Sequence, residues 1–388
     1  MIGNMMDFDF ATVKNIHFGR DSIRQIDDLL GAQFSGKKVF IVTDAGLMAA
    51  GIVQPVVAQL ENQFQVKTYQ DVEADPSEKI ILDCLAQAKS FGAEIVIGLG
   101  GGSSMDTAKL IAVLLKNPLN LNDVYGVEQI SVTRKTPLVL IPTTAGTGSE
   151  VTPISIVTTG ETTKMGVVSK QLYADLAILD PMLTLNLPQH ITAATGLDAM
   201  VHAIEAFTSQ HKKNPISDMC AKRALHLLHS GLTAAVDDGQ NIQARENMLL
   251  GAMLAGQAFA NAPVAAIHAL AYPIGGVFHV SHGLSNALVM LPVMRFNADS
   301  AAPLYAELAP ILNPHASGDD MEMTQDLLSS LDALIDSVGI ERTLSQMGIT
   351  KNDLDRLADD AMLQTRLLVN NPKPVTRDDA FQIYESII

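Results

Sequence analysis

The sequence predicts an α/β domain followed by an all-α domain. In the first half of the chain, short apolar runs rich in β-branched residues alternate with amphipathic stretches. This alternation is typical of a mostly parallel sheet covered by helices. From about Pro188 onward such runs become rare, and long segments rich in Ala, Leu and Met show helical spacing instead.

The strands of the first half are predicted from four apolar runs that end in turn-forming residues. Strands of a parallel sheet are buried on both faces, so they read as nearly continuous apolar segments. Helices are expected in the gaps, for example at 77–91 and 103–116. The four runs are KVFIVTD (38–44), EIVIGLG (94–100), PLVLIPTT (137–144) and DLAILD (175–180).

The length of 388 residues exceeds what one ordinary core supports and predicts two domains. We place the boundary near residue 186, which gives an α/β domain at 1–186 and a helical domain at 187–388. The connecting segment DPMLTLNLP carries two prolines, so we expect it to be extended rather than helical.

Composition narrows the classes of partner and compartment. The formal net charge of -16 would repel nucleic acid and anionic membranes, so a small or weakly charged ligand is favoured. Cys84 and Cys220 are far apart and show neither disulfide nor thiolate-metal spacing, which indicates a reducing compartment, the cytoplasm. The first ten residues lack the pattern of a secretory signal.

One stretch, residues 247–294, contains no Lys, Arg, Asp or Glu and could be taken for a membrane span. It is interrupted by Asn, Gln, His, Pro and Gly residues, and many of its apolar members are small. We therefore interpret it as the buried centre of a helical domain, and expect no membrane association.

Two glycine-rich turns follow predicted strands. The first turn, LGGGSSMDTAK (99–109), opens a predicted helix at Ser103, where glycines and helix N–H groups can receive a phosphate. A tight strand-to-helix turn without a ligand is the alternative. The second turn, TTAGTGSE (143–150), follows another strand and supplies further hydroxyls and N–H groups. Two such turns at strand carboxyl ends favour a dinucleotide site.

Asp44 lies just after a predicted strand and is the candidate for binding the adenosine ribose. Its carboxylate could accept hydrogen bonds from the ribose hydroxyls and repel a 2′-phosphate, which favours NAD over NADP. The alternative is an N-cap of a helix that starts near Ala45. GxGxxG is absent and Asp44 precedes the first turn, so the common Rossmann arrangement is not expected.

A candidate metal site is indicated in the helical half. Asp198 and His202 are four residues apart in a predicted helix at 195–207, so their side chains lie one turn apart on one face. His268 lies in the charge-free stretch, and His282 follows a Pro and Gly-Gly segment that could fold the chain back. One carboxylate and three imidazoles suit Fe(II) or Zn(II).

Two other residues stand near these four in the sequence. His279 precedes His282 by three residues and is a rival ligand, because either could lie on the same face of a turn. Glu205 shares the face of Asp198 and is expected to be structural or to support a ligand.

Taken together, the motifs resemble the iron-containing, group III alcohol dehydrogenase family over essentially the whole chain. The resemblance implies a dehydroquinate synthase-like fold, with an N-terminal dinucleotide-binding α/β domain and a C-terminal helical metal-binding domain. In the family's order, the motifs are FGRDSI, IVTDAG, GLGGGSSMDTAK, IPTTAGTGSEVT, LDPMLTLNLP, GLDAMVHAIEAF, HALAYPIGG and HGLSNALVMLPVMRFN.

The resemblance implies an NAD-dependent alcohol dehydrogenase that transfers hydride reversibly between NAD(H) and a primary alcohol or aldehyde. It selects His282 over His279, and so implies a ligand set of Asp198, His202, His268 and His282 for Fe(II), which Zn(II) could replace. A homo-oligomer, at least a dimer, is expected. The cofactor contacts carried over are Asp44, Gly101, Gly102, Ser103, Thr143, Thr144, Thr147, Lys164 and Leu183.

One position departs from the family's pattern. Many relatives have another histidine four residues after the third ligand, and here that residue is Tyr272. A phenol with a pKa of about 10 relays protons poorly at neutral pH. Tyr272 is therefore a candidate catalytic residue that could instead shape the pocket or bind a substrate hydroxyl.

Other functions remain as alternatives. A glycerol-type polyol dehydrogenase or a maleylacetate reductase would share the fold, but the four ligand residues argue against the metal-free reductase. A lyase of the dehydroquinate synthase type would need basic residues near the ligands, where the sequence has none. A non-catalytic nucleotide- or metal-sensing protein would have no reason to combine both sites.

Overall fold

The computed structural model describes residues 7–160 and 163–388 and divides the chain into two compact units. The α/β unit spans Thr12–Asn186, and the helical unit contains Leu187–Ile388 together with residues 7–11. Contacts group residues 7–11 with the helical unit, whereas the boundary predicted from the sequence places them in the α/β domain. The backbone N–H of Ala11 donates to Asn261 Oδ1 (2.7 Å), and Asn261 Nδ2 donates to the Ala11 carbonyl (2.9 Å).

The α/β unit is built on a parallel sheet with strand order β1-β9-β6-β4-β2-β3. A smaller sheet has the order β5-β8-β7. The elements of the unit are β1 (Ile16–Phe18), α1 (Ile26–Gln33), β2 (Lys38–Val42), α2 (Ala45–Ala49), α3 (Val53–Leu60), β3 (Gln65–Tyr69), α4 (Glu78–Phe91), β4 (Ile95–Gly100), α5 (Gly102–Leu114), β5 (Gly126–Val127), β6 (Leu138–Pro142), β7 (Ile154–Thr159), β8 (Thr163–Val168) and β9 (Leu176–Leu179).

The four predicted strands are β2, β4, β6 and β9, which are neighbours in the sheet, and the predicted α/β class is confirmed. Their branched side chains, such as Val39, Ile97 and Val139, are fully buried in a core shared with α1 and α3. The sequence analysis missed β1 and β3. Both are edge strands with partly exposed residues, so they lack a continuous apolar run.

The small sheet was also not predicted from the sequence. β7 and β8 pair antiparallel, whereas β5 pairs parallel with β8. β8 has the sequence TKMGVV and is largely not buried, so its composition gives little strand signal.

The segment that was predicted to connect the domains differs from the extended conformation that was expected. Pro181–Thr184 forms a short 3₁₀-helix with proline at its start, and Asp180 Oδ1 accepts a hydrogen bond from the Met182 N–H (3.0 Å). Proline is compatible with the first position of a helix because its missing N–H would have no partner there.

The helical unit confirms the predicted all-α half. Its longest helix, α10, packs against α6, α9 and α11, and α7 packs against α6 and α8. The helices are α6 (Gln189–Thr208), α7 (Pro215–Asp237), α8 (Ile242–Asn261), α9 (Ala266–Phe278), α10 (His282–Leu312), α11 (Asp320–Ser337), α12 (Leu354–Met362), α13 (Thr365–Leu368) and α14 (Arg377–Glu385).

The chain reversal between His268 and His282 is not at the Pro and Gly-Gly segment, where the sequence placed it. Helix α9 continues through Pro273 to Phe278, and the break comes at His279, whose φ of 57° is left-handed. Among the described residues, no single helix meets the length and hydropathy expected of a membrane span. Helices α8 and α9 meet it only as a pair bent by 107°, and both are largely buried in the unit.

Candidate active site

Four potential metal ligands converge inside the helical unit. Asp198 and His202 lie one turn apart on α6, His268 lies on α9, and His282 is the first residue of α10. One ligand atom from each of the four side chains lies within 4.8 Å of all the others. Asp198, His202 and His268 are buried, and His282 is partly exposed, so the cluster has one side open to its surroundings.

The close approach of α10 to α6 brings His282 to the cluster. Gly283 lies directly against the α6 backbone, and a Cβ atom at this position would be 2.5 Å from the Ala194 carbonyl oxygen. Since real side chains cannot approach so closely, only glycine permits this packing. The position of His282 therefore depends on its small neighbour.

A buried carboxylate orients His268. Glu205 Oε2 lies 2.7 Å from His268 Nδ1, and the same carboxylate accepts hydrogen bonds from the N–H groups of Ala265 (3.0 Å) and Ile267 (2.7 Å). A carboxylate only accepts, so Nδ1 carries the proton and Nε2 presents a lone pair to the cluster. Glu205 thus fixes both the tautomer of His268 and the start of α9.

Ring stacking holds the other imidazoles. His202 lies between Phe259, with ring centroids 4.3 Å apart, and His268, at 4.7 Å. The rings of His268 and His282 are 5.4 Å apart and tilted. The aromatic contacts restrict rotation of the imidazoles, and one nitrogen atom of each belongs to the cluster.

The donor set fits a divalent ion such as Fe(II) or Zn(II). Bonds of about 2.0–2.2 Å place two ligands of one ion up to about 4.4 Å apart, so a set that lies within 4.8 Å needs only a small contraction to bind one ion. Asp198 Oδ1 is 3.6 Å from His282 Nε2 and 4.0 Å from His202 Nε2. Burial acts to raise the pKa of Asp198, but the nearby histidines and the Asn286 amide offset it, and the pKa lies below its usual value. The site therefore favours an ionised carboxylate.

The two remaining sequence candidates of the helical half lie at the edge of this cluster or outside it. His279 is exposed at the end of α9 and is not one of the converging residues. Tyr272 is partly exposed, and its ring centroid is 6.0 Å from that of His282. Tyr272 is thus close enough to influence what binds beside His282.

In the α/β unit, most of the predicted cofactor residues follow the carboxyl ends of neighbouring parallel strands. Asp44 follows β2, the first turn follows β4, and the second turn follows β6. Because these strands are parallel neighbours, the three segments lie at one edge of the sheet. Leu183 comes shortly after β9 at the same edge and packs against the sheet core.

The two glycine turns are in direct contact. The Thr143 N–H donates to the Gly100 carbonyl (3.1 Å), and a Cβ atom on Gly102 would be 3.0 Å from Thr147 Cγ2. Helix α5 begins at Gly102, so its N-terminal N–H groups face this edge. Glycine at position 102 lets the turns pack closely, and the arrangement suits an anionic group at the helix N-terminus.

Asp44 and Lys164 both have structural partners. Asp44 caps α2, since its Oδ1 accepts a hydrogen bond from the Leu47 N–H (3.0 Å). Lys164 lies on β8, and its Nζ is 2.8 Å from Asp75 Oδ1. The Asp75 N–H donates to Ser103 Oγ (3.2 Å), which connects Lys164 to the first turn. The capping role of Asp44 leaves its other carboxylate oxygen for a ligand.

Sequence analysis missed a buried polar network that joins the turns. Lys109 on α5 is fully buried, and its Nζ donates to Ser149 Oγ (2.6 Å) and to the Ile154 carbonyl (2.6 Å). Asp106 Oδ1 lies 3.2 Å from Lys109 Nζ and 2.6 Å from Ser149 Oγ. The network ties the second turn to the helix that the first turn opens. Asp106 and Lys109 were visible in the first turn's sequence, but their partners were not.

Comparison with known proteins identifies the family. Residues 14–181 match the family model described as "Iron-containing alcohol dehydrogenase", and residues 192–388 match that described as "Fe-containing alcohol dehydrogenase family, C-terminal". The chain belongs to the iron-containing alcohol dehydrogenase family. The family that the sequence motifs indicated is thus confirmed.

Individual relatives from this family match the chain over nearly its whole length. Long-chain-alcohol dehydrogenase 1 of Geobacillus thermodenitrificans is 39% identical, over 91% of this chain and 90% of the relative. A crystal structure of 1,3-propanediol oxidoreductase matches with a TM-score of 0.95 and 30% identity, covering 99% and 100% of the two chains. Sulfoacetaldehyde reductase from Bifidobacterium kashiwanohense, in complex with NAD+, matches with a TM-score of 0.87 and 28% identity, covering 98% and 99%.

Glu150 lies next to the buried network, and its burial is expected to make the stability of the protein depend on pH. Burial raises the pKa of Glu150 from 4.5 to about 7, although its own backbone N–H and the charge of Lys109 act in the opposite direction. Because the pKa of Glu150 is higher in the folded state, the folded protein binds the Glu150 proton more tightly than the unfolded chain does. The free energy of unfolding therefore falls as pH rises from 4.5 to about 7. Well above the folded-state pKa of Glu150, this loss of stability is complete.

We therefore expect Glu150→Gln to raise the thermal midpoint at pH 8 more than at pH 5. The difference between the ordinary pKa of 4.5 and the folded-state pKa of about 7 means that Glu150 lowers the free energy of unfolding by about 3 kcal/mol at pH 8 and by about 1 kcal/mol at pH 5. Thermal unfolding at both values of pH measures it, with Glu61→Gln, an exposed glutamate of the same unit, as control. An equal change at both values of pH would contradict the prediction.

Proposed function

We propose that this chain is a metal-dependent, NAD-linked alcohol dehydrogenase that interconverts a primary alcohol and its aldehyde. The observation that carries the proposal is the convergence of Asp198, His202, His268 and His282 within 4.8 Å. A divalent metal bound there supplies a Lewis acid that lowers the pKa of an alcohol and polarises a carbonyl, and NAD supplies the hydride acceptor. Family membership supports the reaction class.

In the helical unit, the four residues would hold Fe(II), and Zn(II) could replace it because both ions accept imidazole and carboxylate ligands. Glu205 keeps His268 in the tautomer that offers Nε2. Tyr272 lies beside His282, where its ring would border the substrate and its hydroxyl could contact a substrate oxygen. We assign Tyr272 to substrate positioning, since its ring lies beside His282 at the partly exposed side of the cluster.

In the α/β unit, the edge formed by the turns would bind NAD. The proposal places the pyrophosphate at Gly101, Gly102 and Ser103, with the threonines of the second turn beside it. Asp44 would bind the adenosine ribose. Lys164 and Leu183 complete the proposed contacts. The relative named above in complex with NAD+ supports this choice of cofactor.

The role of Asp44 can be tested without loss of its helix cap. Asn caps helices as well as Asp does, so Asp44→Asn should leave thermal stability unchanged while it removes the carboxylate charge. We expect kcat/KM with NADPH to rise about tenfold or more relative to NADH, since repulsion of the 2′-phosphate is worth about 1.4 kcal/mol. An unchanged coenzyme preference would remove the proposed role of Asp44.

The whole proposal is tested by reconstitution. Metal-free protein is loaded anaerobically with Fe(II) or Zn(II) and assayed against a series of alcohols with NAD and of aldehydes with NADH, with NADP(H) for comparison. We expect aldehyde-dependent consumption of NADH that a chelator abolishes. Absence of turnover with either metal would overturn the proposal.

We further propose that the protein acts in the cytoplasm as a homo-oligomer, at least a dimer. Cys84 and Cys220 are both buried and unpaired, which suits a reducing compartment. Light scattering of the purified protein would measure the oligomeric state, and a monomer would contradict that part of the proposal.

A further inference from the structure

Asn286 contacts three of the four candidate metal ligands through a single amide nitrogen. It lies on α10 one turn after His282 and is completely buried. Its Nδ2 donates to Asp198 Oδ1 at 2.6 Å and lies 3.2 Å from both His268 Nε2 and His282 Nε2. No sequence pattern identified this residue as part of the site.

The hydrogen-bond acceptors around Asn286 explain why its amide nitrogen, and not its amide oxygen, faces the ligands. Asp198 is a carboxylate and only accepts hydrogen bonds, and His268 donates its Nδ1 proton to Glu205, so its Nε2 also accepts. The amide N–H₂ is the group that satisfies such acceptors. Asp198 Oδ1 has a second lone pair that stays available to a cation while it accepts from the amide, whereas each imidazole Nε2 has one lone pair, so the 3.2 Å contacts to His268 and His282 would give way to a bound metal.

A packing role alone does not account for an asparagine here. The neighbouring residues on α10, such as Leu288, Val289 and Met290, are buried and apolar. Among the described residues, Asn286 Oδ1 is buried without a hydrogen-bond partner, which is unfavourable. A leucine would fill a similar volume without this cost, so the N–H contacts to the ligands are the feature that requires asparagine.

We propose that Asn286 is a positioning residue of the metal centre, which holds the Asp198 carboxylate in the orientation that the metal needs. Without the amide, the Asp198 carboxylate would be free to rotate toward one histidine, and metal binding would have to reorganise the set. Groups that orient metal ligands typically change metal affinity about 10–100-fold when they are removed. This inference depends on the metal site of the proposed function.

The test compares Zn(II) affinity between two matched variants of the whole chain. Asn286→Leu removes the amide, and Asn297→Leu serves as control. Asn297 is a buried asparagine on the same helix, and its side chain pairs with that of Asn371 (3.0 Å). Dissociation constants come from competition with a chromophoric chelator. We expect weakening of about 10–100-fold for Asn286→Leu and an unchanged value for Asn297→Leu.

A second readout is the visible absorption of Co(II) in the site, which reports ligand geometry. We expect a changed spectrum in Asn286→Leu and a wild-type spectrum in the control. Should Asn286→Leu fail to fold, Asn286→Ala removes the same donor with less steric demand and is measured in the same way.

The outcomes separate this inference from the proposed function. Equal Zn(II) affinity in wild type and in the Asn286 variant would overturn the inference alone. Equal weakening in the Asn286 and Asn297 variants would also overturn it, because it would show a general effect of stability. A wild-type chain that binds no Zn(II) would overturn both the proposed metal site and the inference.

Discussion

Replacing Asp198 by Asn is expected to leave the purified protein without bound metal and to lower kcat/KM for alcohol oxidation by about a thousandfold or more. Asp198 is the single carboxylate among the four converging side chains and is buried beside three imidazoles. Asn keeps the shape but removes the charge that a divalent ion requires. Loss of a Lewis acid worth several kcal/mol corresponds to this drop in rate.

Metal content, kcat/KM and thermal midpoint are measured together for Asp198→Asn. The control is His279→Asn, because His279 is exposed at the end of α9 and lies outside the cluster. Its φ of 57° is one that Asn tolerates, so the fold should be kept. We expect wild-type metal content and activity in this control. Full activity of Asp198→Asn, or loss of metal in His279→Asn, would contradict the ligand assignment.

Replacing Asp106 by Asn is expected to destabilise the protein by about 3–5 kcal/mol, the cost of leaving a buried charge without its partner. Lys109 is fully buried, and burial acts to lower its pKa while Asp106 acts to raise it. Asp106 also holds Ser149 Oγ and accepts a hydrogen bond from the Ile156 N–H (2.9 Å). The substitution therefore loosens the second turn as well as the network.

The effect is measured as a fall in thermal midpoint of about 5 °C, together with NADH binding weakened about tenfold in a fluorescence titration. Asp83→Asn is the control, because Asp83 is exposed on α4 and lies outside the network. We expect a change below about 0.5 kcal/mol there. A loss of stability without weaker NADH binding would show that the network does not position the turn.

Some features of the fold and the candidate site could be predicted because they depend on neighbours in the chain. The four central strands were predicted because their residues are buried on both faces and form continuous apolar runs. Asp198 and His202 were predicted as a pair because four-residue spacing brings side chains together on any helix. Edge strands β1 and β3 were missed, since partial exposure breaks the apolar run.

Other predictions went wrong where local preference was overridden. Pro273 and two glycines indicated a reversal, but α9 runs through them and the chain turns at His279. Pro181 indicated an extended segment, yet it begins a short helix capped by Asp180. In each case the helix accommodates the proline, so the position of a proline alone did not predict where the helix begins or ends.

Local patterns along the chain establish the order of the elements, the two structural classes, and the residue types of the candidate site. Tertiary packing alone decides which of these residues meet. Asp198 and Asn286 are 88 positions apart, and Lys109 and Ser149 are 40 apart. Their contacts arise from the approach of α10 to α6 and of the second turn to α5. No spacing rule reaches across such distances, because the contacts depend on how side-chain volumes fit between packed elements.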